Sequence, residues 1–505
     1  MACKRAIVAF GLAGFTLPWF AGCSSSPATH LTQDTGSTQG TGTQSTTSST
    51  PAPYISSISP NATAAGGPDL TIKILGSNFK NEPSQVSLVA WSTSSTDTHC
   101  CNTWLLTSFV SSTQLTAVVP TSLLQSPGTG YLFVETGDQQ GILDGVSYAF
   151  SNIVRFVVPA ASSGFSLTGS MITARMLHSA NLLPDGRVLV GGGGSFYPGP
   201  PDSDCEDILS LDSAEIYDPP TGVFSSTGKM VTSRFRHTAT PLLNGRVLIA
   251  GGDETVVTVS GYCSEALSST ELFDPAAGSF SAAAPMHHSR SGHTATLLPD
   301  GRVLVAGGSG GESTAEIYDP STGRFSAEVP MIKSRTGHAA VLFPDGEVLL
   351  TGGCGPSCVA AELYDPLSNS FHTTGDLTTE RTGHTATLLP DGKVLITGGR
   401  IGPDWRPLLS AEIYNPANRS FSATGSMQFA RWDHRATLLP QGSVLITGSD
   451  EYEPSSTAEL YDPATGQFGA VLLMNAARGA HTSTLLPNGR VLVAGGLVAS
   501  AELYP

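Results

Sequence analysis

At 505 residues the chain is too long for one compact core and calls for at least two folded units. Its 56 glycines, 34 prolines and 13% charged residues suit many short strands joined by tight turns and argue against a helix-rich globule. The 25 basic and 41 acidic residues leave a formal charge of −16, which repels phosphate backbones and argues against general nucleic-acid binding.

At the N-terminus, Lys4 and Arg5 precede an apolar run from Ala6 to Phe20. That run is too short to span a bilayer comfortably and has the length of a secretion-signal core. Phe20-Ala21-Gly22-Cys23 resembles the bacterial lipobox. The resemblance implies that residues 1–22 are cleaved and that Cys23 is acylated and becomes the mature N-terminus. Each buried methylene of an acyl chain contributes about 0.8 kcal/mol, so a multiply acylated cysteine holds a protein at a membrane. Ser24, in place of Asp, resembles the outer-membrane sorting pattern, so the expected location is the outer membrane or cell surface. Residues 23–52 are almost entirely Ser, Thr, Gly, Gln, Pro and Ala, and cannot bury enough apolar surface to offset ordering entropy. They read as a tether reaching tens of ångströms, at roughly 5–6 Å times the square root of length.

From Tyr54 the pattern changes to short alternating strands: Ile55 to Pro60, Leu70 to Phe79, Leu115 to Pro120, and Gly145 to Phe150. The opening "SISP…GG" and the "GSNF" at Gly76–Phe79 resemble an IPT/TIG domain, a small immunoglobulin-like sandwich, over residues 53–157. The stretch from Asp97 to Trp104 departs from the pattern. Such a module implies a spacer or adhesion unit, and a fold alone establishes no function.

From residue 163 one unit recurs at a spacing of about 45 to 59 residues, the signature of stacked supersecondary repeats. Its clearest copy is Arg290-Ser-Gly-His293-Thr-Ala-Thr-Leu-Leu-Pro299-Asp300-Gly301-Arg-Val-Leu-Val-Ala-Gly307-Gly308, followed by Ala315-Glu316-Ile-Tyr318-Asp319-Pro320 and Phe325. His293 to Leu298 and Arg302 to Ala306 read as two strands joined by the Pro-Asp-Gly hairpin. Ala-Glu-Ile-Tyr forms a third strand and Phe325 opens a fourth, which makes one propeller blade. His178, His237, His293, His338, His384, His434 and His481 mark seven copies, each with Arg three residues earlier. The last copy stops at Ala501–Pro505, while Gly164–Met171 precedes the first copy as an orphan fourth strand. Together they close a seven-bladed ring over 163–505 and hide the sheet edges. The double glycine, the third-strand tyrosine and the fourth-strand aromatic resemble Kelch repeats, in the form found in galactose oxidase-like propellers.

A histidine repeated beside the same Arg and the same downstream Glu (Glu215, Glu271, Glu316, Glu362, Glu412, Glu459, Glu502) reads as structural, since buried charges need partners. A ring of imidazoles holding metal would require side chains facing the central channel. The galactose oxidase resemblance raises a copper oxidase as the rival reading, but that family needs a Tyr-His pair and a His from a domain after the propeller. The sequence has no Tyr-His dipeptide and stops inside the last repeat. It also has no phosphate loop or zinc-protease helix motif. The reading is therefore non-catalytic, with no cofactor expected.

Up-and-down strands put the connections before the first strand and after the second on one face, and the uniform Pro-Asp-Gly and Asp-Pro turns on the other. The connections after the double glycine vary in length, and variable loops on a rigid scaffold are where binding usually resides. The candidates there are Phe196, Tyr197, Asp202, Asp204, Glu206 and Asp207 in blade one, and Asp253, Glu254 and Tyr262 in blade two. Blade five adds Asp404, Trp405 and Arg406, and blade six Asp450, Glu451 and Tyr452. Aromatic and acidic residues together suit a glycan, a basic protein partner or Ca²⁺. Cysteine usage fits an oxidising compartment: Cys354 with Cys358, and Cys205 with Cys263, are candidate disulfides. Adjacent Cys100 and Cys101 either form a vicinal bridge or stay partly free; zinc would need His or Cys ligands at finger spacing, for which His99 alone is weak support, so no metal site is expected. The sequence thus predicts a surface recognition module, with an envelope scaffold as a further alternative.

Overall fold

A computed structural model describes residues 52–505 apart from 60–68, 83–84, 93–102, 125–127, 138–148, 159–163, 197–207, 259–260, 312, 356–357, 403, 451 and 453. Among the described residues the chain is all-β, with one 3₁₀ turn at Thr121–Leu123.

The N-terminal unit is a sandwich of two antiparallel sheets. One is ordered Tyr54–Ser59, Leu70–Ser77, Gln114–Val119, Leu106–Ser111; the other runs Val154–Val158, Gly128–Gly137, Gln85–Ser92, Asn81–Glu82. Alternation along each strand turns Ile72, Ile74, Leu115, Ala117 and Val119 inward against Val89, Trp91, Leu132, Val134 and Phe156, forming one apolar cluster. Trp91 and Phe156 meet at 5.4 Å between ring centroids. Full burial of such side chains contributes roughly 1.5–3 kcal/mol each.

Among the described residues the remainder forms seven antiparallel blades on a four-strand plan, with a fifth strand added on the third strand of blade three (Val329–Pro330) and of blade six (Leu472–Arg478). In blade three, Thr294–Leu297 pairs with Val303–Ala306, which pairs with Thr314–Asp319, which pairs with Arg324–Phe325. Every residue of the second strand is buried in all seven blades. Blades pack face to face, so this strand is covered on both sides and reads as a continuous Val-Leu run without alternation. Leu304 and Ile317 of blade three, for example, pack against Val348, Leu350 and Tyr364 of blade four. The third-strand tyrosine stacks on the fourth-strand aromatic, as in Tyr318 on Phe325 at 5.1 Å.

First strands neighbour one another around the ring, and Thr482–Leu485 of the last blade meets Ser179–Leu182 of the first. The ring closes through Ser166–Leu167, which pairs with Ala501–Tyr504 as the outer strand of the last blade. Only those two residues of the orphan segment 164–171 join the ladder.

Candidate functional site

Each repeated Arg-x-x-His and Glu has a fixed employment. Arg290 lies at 0% exposure and its Nη2 donates to Glu316 Oε1 at 2.9 Å. Its Nη1 donates to the carbonyls of Gly307, Gly311 and Thr314. Glu316 accepts in turn from the backbone N–H groups of His287 and His288 at the entrance to the blade. Equivalent pairs join Arg175 to Glu215, Arg234 to Glu271, Arg335 to Glu362, Arg381 to Glu412, Arg431 to Glu459 and Arg478 to Glu502. The pair ties the incoming loop to the double glycine of its own blade and to the third strand.

The histidines act between blades. Nε2 of His293 meets Thr238 Oγ1 of the preceding blade at 2.9 Å, and His338 meets Thr294 at 2.9 Å. Where the first strand offers Ala339 or Arg435 in place of that hydroxyl, the facing residue of the second strand supplies it. Thr351, opposite Ala339, serves His384, and Thr447, opposite Arg435, serves His481. His434 has both hydroxyls, Thr385 and Thr397, each at 3.0 Å. His237 uses Ser179 and His178 uses Thr482, so the relay runs round the ring. Burial, reinforced by the nearby Arg cations, pushes His237, His293 and His338 down to about 3 and the other four well below the usual range, so all seven rings are neutral. The double glycine sits between two such rings. A Cβ on Gly307 would meet His338 Cε1 at 2.9 Å, and one on Gly308 would meet His293 Cβ at 2.8 Å.

The residue before each histidine is left-handed in every blade: Leu177, Arg236, Gly292, Gly337, Gly383, Asp433 and Ala480, with φ between 49° and 64°. Their backbones form a rim around the channel mouth. Arg236 N–H donates to Leu177, Gly337 to Gly292, Gly383 to Gly337 and Asp433 to Gly383. Blades three to five contribute only glycine here, preceded by Ser291, Thr336 and Thr382. This sector of the loop face is therefore a floor of backbone and small hydroxyls.

Blade five rises beside that floor. Its second strand continues past the double glycine into a short hairpin, Arg400–Ile401 against Arg406–Pro407. Reciprocal bonds between Arg400 and Thr382 anchor the hairpin to the mouth. Trp405 at the tip has φ of 53° and is 55% exposed. The Arg400 guanidinium lies 3.4 Å from the centroid of Trp405 and 3.8 Å from that of Trp432, so the two rings sandwich it. Asp404 and Arg406 are exposed on the same hairpin, and Tyr452 of blade six is 55% exposed.

The other sequence candidates divide. Asp253 and Asp450 open their loops but are buried, at 8% and 1% exposure. Asp253 accepts from Ser291 Oγ at 2.5 Å and lies 3.9 Å from Arg236, while Asp450 accepts from the Tyr452 N–H at 2.7 Å. The residue after the double glycine of blade two still belongs to the ladder, bridging Phe235 to Asp253, which explains the burial. Glu254 accepts from Ser233 Oγ at 3.2 Å. Phe196 and Tyr262 lie in the hairpin strands of blades one and two. Those hairpins join through Ser210 and Thr255, whose hydroxyls and N–H groups bond reciprocally. Tyr197, Asp202, Asp204, Glu206, Asp207 and Glu451 lie outside the described residues, as do Cys23, His99, Cys100, Cys101 and Cys205. Cys354 and Cys358 are joined by a disulfide with 5.5 Å between Cα atoms, and Cys263 is also disulfide-bonded. Arg400 and Trp432 were not among the sequence candidates. The available signal was Trp432 itself, which stands where other blades carry Met176, Phe235, Ser291, Thr336, Thr382 or Gly479. A shallow depression on the opposite face, lined by Leu243, Asp300, Arg302 and Asp319, consists of turn residues, and Arg302 is already paired with Asp300 at 2.7 Å.

Residues 53–150 match the IPT/TIG domain family. No curated protein matches the chain. Among solved structures, the chain is similar to a fungal alcohol oxidase of the AA5 family determined with copper, at 18% identity and a TM-score of 0.52, covering 67% of this chain and 75% of that one. It is also similar to YjhT, at 13% identity and a TM-score of 0.46, covering 60% of this chain and 98% of that one. The chain thus carries an IPT/TIG sandwich followed by a propeller that shares its fold with the oxidase.

Proposed function

We propose that the protein is an exported, membrane-anchored recognition module whose propeller binds a glycan or protein through its loop face. The observation that carries this reading is the Trp405–Arg400–Trp432 stack, which presents an exposed aromatic ring beside the side-chain-poor floor of the channel mouth. Exposed aromatic surface on a rigid scaffold is a recognised mark of a binding site.

The oxidase reading, raised by the solved neighbour, fits this chain poorly. Among the described residues no three His, Cys, Asp or Glu side chains converge to hold a metal. The Nε2 of each of the seven repeated histidines is committed to a neighbouring hydroxyl. A Ca²⁺ site in the acidic loops likewise draws no support from Asp253 and Asp450, whose carboxylates serve the fold. The test is a metal analysis of purified protein together with glycan-array and pull-down binding, wild type against Trp405→Ala. Binding lost in the variant, without stoichiometric copper, supports recognition; bound copper with alcohol oxidation overturns it. Anchorage is tested separately: Cys23→Ser should move the protein from the membrane fraction to the soluble one.

A further inference from the structure

The blade-five hairpin is the part of the loop face whose chemistry specifies a ligand. We propose that Trp405 is the stacking platform for a neutral sugar ring, and that the ligand is an uncharged oligosaccharide running from Trp405 over the floor made by Thr382-Gly383 and Thr336-Gly337. This rests on the loop-face reading above and names its ligand class.

Three observations select that class. First, a pair of tryptophans at the rim of an acidic protein would ordinarily attract a Lys or Arg of a basic partner into the space between them. Here Arg400 already fills that space, at 3.4 and 3.8 Å from the two ring centroids, so the cation site is internally satisfied. What the outer face still offers is a flat apolar surface, which suits the C–H face of a pyranose.

Second, Trp405 is held open by its backbone. Its φ of 53° is one that side-chain-bearing residues adopt at a cost of about 1–2 kcal/mol. The Gly402 N–H just before the tip is held by Glu380 Oε1 at 2.9 Å, and Trp405 N–H bonds back to Gly402 O at 3.3 Å. Stacking on Arg400 offsets the strain and fixes the ring with more than half its surface in solvent. The platform is thus ordered before a ligand arrives, which removes a side-chain ordering cost from binding.

Third, the neighbouring floor is backbone and small hydroxyls, bordered at Gly383 by Trp432 and Asp433. Gly337 and Gly383 bring bare backbone to the surface, and Thr336 is exposed beside them. Such a surface accommodates an extended chain of hydroxyls and gives no pocket for an apolar anchor residue. The formal charge of −16 on the protein disfavours uronate, sialyl and sulfated glycans.

The experiment uses the full-length protein in detergent, with an array of neutral glucans, galactans, mannans and xylans beside sialylated, sulfated and uronic-acid glycans and a basic peptide set. Wild type should retain at least one neutral class, with affinity independent of salt. Trp405→Ala should weaken that binding about tenfold or more, Trp405→Phe should keep most of it, and both should melt with the wild type. Thr336→Val and Thr382→Val on the floor should weaken longer oligosaccharides more than disaccharides. If wild type retains no neutral glycan, the inference is overturned. If it binds a protein or a charged glycan in a way that Trp405→Ala abolishes, the ligand class falls while the loop-face reading stands. If a ligand binds equally well to wild type, Trp405→Ala, Thr336→Val and Thr382→Val, both fall.

Discussion

The inner ring of the propeller and its loop face are built from the same seven repeats and obey opposite rules. In the ring each blade repeats the same arrangement: a buried Arg–Glu pair, a neutral histidine bonded to the preceding blade, and a double glycine, Gly448-Ser449 in blade six, between two imidazoles. On the loop face the next residue is Gly194, Asp253, Ser309, Cys354, Arg400, Asp450 or Leu497, and among the described residues the hairpins of blades one, two and five differ in strand length. Sevenfold repetition is what assembly requires, because each interface needs the same contacts; recognition requires a surface that differs from place to place. A residue type found in every blade therefore points to architecture, and a departure from the repeat points to function.

The comparison breaks most visibly in the ring. Replacing Arg290 or Glu316 alone with Ala leaves a buried charge without its partner and should destabilise the propeller by about 3–5 kcal/mol by denaturant titration. The paired replacement Arg290→Met with Glu316→Leu should recover much of that loss. Equal losses from single and double variants would mean that the backbone bonds of the pair, and not the charges, are what matter.

Acid provides the next largest effect. His237, His293 and His338 are held near 3, against 6.5 when unfolded, so below pH 6.5 the unfolded chain takes up protons that the folded ring does not. Stability is therefore fully present above pH 6.5 and falls as pH drops toward 3, by about 1.4 kcal/mol per pH unit for each histidine. The other four histidines are displaced in the same direction and steepen the fall. The sandwich has one histidine, His99, against the seven of the ring. Calorimetry from pH 7 to 4 should show the propeller transition moving far more than that of the sandwich.

A smaller effect sharpens the relay. His384 bonds Thr351, and blade four has Ala339 where every other blade but the sixth places the hydroxyl, so Thr351→Val should cost about 1–3 kcal/mol. Thr397→Val should cost less, because Thr385 also reaches His434. Smallest of all, Trp405→Ala should change stability by less than about 1 kcal/mol, since the ring is more than half exposed. The two melting temperatures and the Trp405→Ala melt test these expectations together.

Much of this architecture was legible in the sequence because the repeat states it seven times. The blade count followed from the histidines, and the circular closure from an orphan strand at one end and a missing one at the other; the structure supplies that closure with Ser166–Leu167 against Ala501–Tyr504. The paired strands also carry the exchange of Ala339 for Thr351, which becomes readable once the register is known. The loop face was less legible. Asp253 and Asp450 read as rim acids because they open variable loops, yet they are drawn into the fold, Asp253 by a ladder bridge and Asp450 by the turn it caps. The partners of Trp405 could not be read, because Arg400 and Trp432 lie 32 positions apart in sequence and on different blades. Their meeting depends on a two-residue hairpin ladder and a left-handed tip, which no periodicity encodes.

The central claim is that recognition occurs on the face where the repeats diverge. The most direct measurement compares ligand retention by Trp405→Ala with that by Leu367→Ala, a variant of the opposite face whose side chain is 96% exposed. The account predicts that Trp405→Ala loses binding while Leu367→Ala retains it, with both proteins melting as wild type. Loss in Leu367→Ala with binding intact in Trp405→Ala would place recognition on the uniform turn face and contradict the account.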